Sequence, residues 1–66
     1  MDKAQQMFWI NERLRFISAR IDQKRLDQLR VNNILDREAI GKDISKLVDK
    51  RRSIINEGEI LLYAKD

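Results

Sequence analysis

Sixty-six residues with no Cys, His or Pro make at most one small domain, which excludes disulfide staples and chemistry centred on imidazole or thiolate. With 38% charged and 42% hydrophobic residues the chain is too apolar to stay disordered, and no apolar run approaches the about 20 residues of a membrane span. The net charge of +3 is uneven: residues 13–52 hold twelve Lys or Arg against six acids, residues 1–12 (Asp2, Lys3, Glu12) sum to −1, and residues 53–66 (Glu57, Glu59, Lys65, Asp66) to −2.

The first predicted element is a helix over about residues 2–30. Met7, Ile10, Leu14, Ile17 and Ile21 are spaced 3-4-3-4. At 100° per residue they share a stripe about 80° wide. Trp9 and Phe16, one heptad apart, form a second ridge beside that stripe. Phe8, Ala19 and Leu26 form a weaker third.

Val31-Asn32-Asn33 is the strongest break signal, because Asn tolerates left-handed backbone and caps helices. It predicts a turn over residues 31–33. The second helix, over about residues 34–63, is capped either by Asn33 or by Asp36, with Glu38 suited to the positive end of the helix dipole. Its apolar stripe runs Ile40, Ile44, Leu47, Val48, Ile54 and Ile55 and continues through Gly58 to Leu61 and Leu62. Gly58 is either a C-cap or a weak point inside a continuing helix.

The two stripes match in length. Folding back at the turn sets Ile21 opposite Ile44, Ile17 opposite Leu47 and Ile10 opposite Ile54, with Leu26 and Leu29 meeting Ile34 and Leu35. The predicted fold is all-α, a single two-helix antiparallel hairpin resembling a coiled coil. Two helices cover only one stripe each, which predicts that the hairpin dimerises into a four-helix bundle. Met7, Ile10, Leu14, Ile17, Ile21, Ile40, Ile44, Leu47, Arg51 and Ile54 are the predicted self-association residues. Arg51 interrupts the apolar seam, where a charge tends to fix register or partner choice.

Functional chemistry is sparse. Ser18, Ser45 and Ser53 have no His to activate them, and the carboxylates lack the spacing of a bidentate metal site. No catalytic residue, cofactor or metal is predicted. Trp and Arg are over-represented among residues that carry binding energy, so Trp9, Phe16, Arg13 and Arg20 are the predicted contacts to a protein partner. The expected function is a small, non-enzymatic regulatory inhibitor, adaptor or assembly factor, viral or bacterial in kind. The alternative is a basic nucleic-acid-binding dimer that presents Lys42, Lys46, Lys50, Arg51 and Arg52. Neither a membrane span nor an apolar leader is read here, which predicts a cytoplasmic protein without a membrane partner.

Overall fold

The computed structural model describes residues 2–64 and shows an antiparallel helical hairpin. Met1, Lys65 and Asp66 lie outside the described residues. Helix α1 spans Lys3–Arg30 and α2 spans Ile34–Tyr63.

Each helix starts on a side-chain cap. The Asp2 carboxylate accepts from the Gln5 amide at 2.8 Å, and the Asp2 carbonyl accepts from the Gln6 amide at 3.0 Å. For α2 the cap is Asn33, whose Oδ1 accepts from the amides of Leu35 at 2.8 Å and Asp36 at 3.4 Å. Such caps satisfy amides that have no intrahelical acceptor. With the cap at Asn33, Asp36 is the acid of the first turn. Glu38 sits too far along the helix for that role.

The turn itself is extended. Val31 has φ −87° and ψ 130°, and Asn33 has φ −83° and ψ 128°. No described residue has a positive φ, so Asn33 contributes a cap and neither Asn adopts left-handed backbone. Two side chains tie the corner down. Arg37 Nε donates to the Val31 carbonyl at 2.6 Å, and Gln28 Nε2 donates to the Arg37 carbonyl at 3.1 Å.

The result is a rod whose Cα extents are 52 × 14 × 13 Å. Its seam is lined by Ile10, Ile17, Ile21 and Ile54, with Met7, Leu14, Ile44, Leu47, Val48 and Leu61 packed against them. Among the described residues only the Ile21 and Ile54 side chains are fully buried. Helix α2 runs through Gly58, which is buried in the seam. A Cβ built there would lie 3.4 Å from Ile10 Cγ2. Gly58 is therefore interior helix, not a C-cap.

Two expectations need correction. Leu29, Ile34 and Leu35 remain 71–79% exposed and Leu26 48%, so they do not seal the turn end. The three non-helical residues 31–33 and two polar side chains close the corner instead. Ile55 and Leu62 lie on the outer edge of the α2 stripe and stay exposed, because one facing helix is too narrow to cover a stripe that wide.

Candidate protein-binding surface

The predicted self-association residues have a different first use. Ile10, Ile17, Ile21 and Ile54 are buried between α1 and α2 of the same chain, and Met7, Leu14, Ile44 and Leu47 pack on them. Ile40 is half-buried. Arg51 is also half-buried, with no hydrogen bond or ion pair among the described residues. Any contact with a second chain must draw mainly on the flanks of this seam.

One flank carries the aromatic ridge. Trp9 is 55% exposed and Phe16 77%. Phe8 meets Trp9 edge-on, with ring centroids 5.4 Å apart at 77°. Between the ridge and α2 runs a chain of shallow depressions. At the open end, Trp9, Ile10, Arg13 and Glu57 line one of them. The central groove, about 230 Å³, has Phe16 as a wall and Ile17, Leu47 and Ile54 as a floor, with Arg13, Arg20 and Lys50 on the rim. Toward the turn, Arg20, Lys24, Asp43, Lys46 and Leu47 continue it. Trp9, Arg13, Phe16 and Arg20, the four residues read from the sequence, therefore share one face. Lys24, Lys46 and Lys50 join them there.

Two ion pairs bracket the central groove. Arg13 Nη1 meets Glu57 Oε2 at 3.2 Å, and Lys24 Nζ meets Asp43 Oδ2 at 3.5 Å. Both span α1 to α2. Solvent reaches both, so each contributes at most about 1 kcal/mol, and their main effect is on register. Arg20, Lys46 and Lys50 make no hydrogen bond or ion pair among the described residues. The middle of the groove thus keeps three unneutralised cations around an apolar floor.

The basic run Lys50-Arg51-Arg52 does not act as one ridge. Residues two apart on a helix point about 200° apart, so Arg52 leaves the groove face. It lines a separate depression with Asp49, Asn56 and Glu59 on the outside of α2. Lys46 and Lys50 rim the groove, and Lys42 lines none of its depressions. The contiguity of these residues in sequence is broken up by helical geometry.

The second flank differs in composition. Val48, Ile55 and Leu62 recur every seven residues along the α2 edge. Val48 is half-buried, Ile55 and Leu62 exposed. Charges of both signs stand beside this flank on α2, where Arg52 and Glu59 line a depression with Ile55.

Among the described residues no group of three or more carboxylates gathers as a metal site, and no helix is long and apolar enough to cross a membrane. Compared with known family models, curated proteins and solved structures, the chain matches none.

Proposed function

We propose that this protein is a non-enzymatic helical interaction module that self-associates into a four-helix bundle and binds a protein partner. The observation that carries the reading is the mismatch between interior and surface. A folded chain of 7.9 kDa ordinarily exposes about 4,400 Å². This hairpin exposes 5556 Å², and Phe8, Trp9, Phe16, Ile55, Ile60, Leu62 and Tyr63 are among its exposed large side chains. Two fully buried isoleucines supply about 1.5–3 kcal/mol each, little against the conformational entropy of ordering two long helices. Contact with other chains offsets that deficit.

The second flank is the natural site for the second copy. Its heptad row of Val48, Ile55 and Leu62 supplies knobs for a coiled-coil contact, and its mixed charges tolerate a symmetric neighbour. Sedimentation equilibrium on the purified chain tests this. A mass near twice the chain, falling to that of one chain in Ile55→Asp, is expected. A single-chain species that melts cooperatively contradicts it.

The nucleic-acid alternative rests on Arg20, Lys24, Lys46 and Lys50 sharing a flank. Against it, Asp43 and Glu57 sit at either end of that flank, and Arg52 faces elsewhere. Duplex binding through phosphates would weaken with salt at a log–log slope of about −0.9 per contact. Our reading predicts no such binding at low salt.

A further inference from the structure

We propose that the groove beside Phe16 receives one acidic amphipathic helix of the partner protein, laid along the rod as a third helix. The proposal rests on the protein-binding reading above and adds the chemistry of the partner and the place where it sits.

Charge is the first reason. Arg20, Lys46 and Lys50 rim the groove without a counter-ion among the described residues. Their floor is apolar, formed by Ile17, Leu47 and Ile54. A ligand that fits both features presents apolar side chains to the floor and carboxylates to the rim. An amphipathic helix with acidic flanks does this through apolar residues at i, i+3 or i+4, and i+7.

Length is the second reason. The cationic stretch runs from Arg13 to Lys24, about 16 Å of helix or three turns. At its ends Glu57 and Asp43 neutralise Arg13 and Lys24. Three turns match the footprint of a short docking helix. A phosphodiester chain continuing past either end would meet a carboxylate. A second copy of this chain is also a poor occupant: antiparallel pairing through the middle of the rod would set Arg20, Lys46 and Lys50 against themselves, and like charges across an interface are costly.

The test is a display selection on the full-length protein. The library consists of short helical peptides with a fixed apolar face and randomised flanks. The selected pool is expected to be rich in Asp and Glu beside the apolar face. Arg20→Glu with Lys50→Glu should weaken the selected peptide at least about tenfold. Lys42→Glu with Arg52→Glu makes the same charge change at two positions of α2 that line none of the groove and should leave affinity unchanged. Circular dichroism checks that all variants keep the helicity of the parent. A selected pool without acidic bias, or affinity that survives the reversal at Arg20 and Lys50, overturns the proposal while leaving protein binding intact. Failure to enrich any peptide of any charge counts against both this proposal and the protein-binding reading. Duplex DNA and anionic phospholipid vesicles serve as competitors. If either binds more tightly than the selected peptide and is lost in the same double variant, the groove belongs to phosphate and the proposal falls.

Discussion

The two flanks of the seam share one apolar floor yet present different chemistry. On the first, aromatic side chains stand beside Arg20, Lys46 and Lys50, and Glu57 and Asp43 are engaged in ion pairs at the two ends. On the second, a heptad row of aliphatic residues runs among charges of both signs. A surface with one sign of charge repels its own copy and attracts an opposite partner. A surface of mixed charge permits self-pairing. A two-helix rod can therefore separate assembly from recognition simply by the side of the seam on which each residue falls.

The largest effect should come from breaking what both flanks share. Ile54 is fully buried, so Ile54→Asp places an unpaired carboxylate in the seam and should cost about 3–5 kcal/mol. Loss of helicity in circular dichroism is expected; a helical spectrum with an unchanged melting curve would move the seam elsewhere. Next, Ile55→Asp acts on the second flank alone. It should remove self-association, read by sedimentation, while the selected acidic peptide still binds. Loss of both activities would mean that the flanks are not independent.

Phe16→Ala acts on the first flank alone. Phe16 is 77% exposed, so helicity and oligomer mass should hold while peptide affinity falls by about 2 kcal/mol, the cost of removing a central aromatic anchor. Unfolding would instead identify Phe16 as core of the assembled bundle. The smallest effect concerns the seam between the flanks. Gly58→Ala should stabilise the hairpin by about 0.5–1 kcal/mol, because alanine favours helix and its Cβ meets Ile10 Cγ2 at an ordinary 3.4 Å. A lower melting temperature would show that α2 does not pass through residue 58 as an unbroken helix.

Much of the hairpin was legible because its determinants are local. The apolar spacings of α1 and α2 lie within single helices, and Asn33 caps amides two and three residues away. The face shared by Trp9, Arg13, Phe16 and Arg20 follows from the same helical phase. What the sequence hid is the relative rotation of the helices. The pairs Arg13–Glu57 and Lys24–Asp43 join residues 44 and 19 positions apart, and no local rule selects them. The place of Lys24 beside Arg13 and Arg20 follows from helical phase, but its pairing with Asp43 does not. The run Lys50-Arg51-Arg52 misled in the opposite sense, since adjacency in the chain disperses charge around a helix. The exposed Leu29, Ile34 and Leu35 show the same limit at the corner, where extended backbone and hydrogen bonds from Gln28 and Arg37 set the geometry.

The central claim is that the two helices close on each other within one chain and leave both flanks open. A cysteine-free chain makes a direct measurement simple. Ile10→Cys with Gly58→Cys places two thiols where a Cβ at residue 58 lies 3.4 Å from the Ile10 side chain, within reach of disulfide geometry. Oxidised at low protein concentration and analysed by mass spectrometry under denaturing conditions, the variant should give a single chain with one internal disulfide. Covalent dimers joined between chains, with no internally closed monomer, would show that the helices pair with a neighbour and would contradict the hairpin.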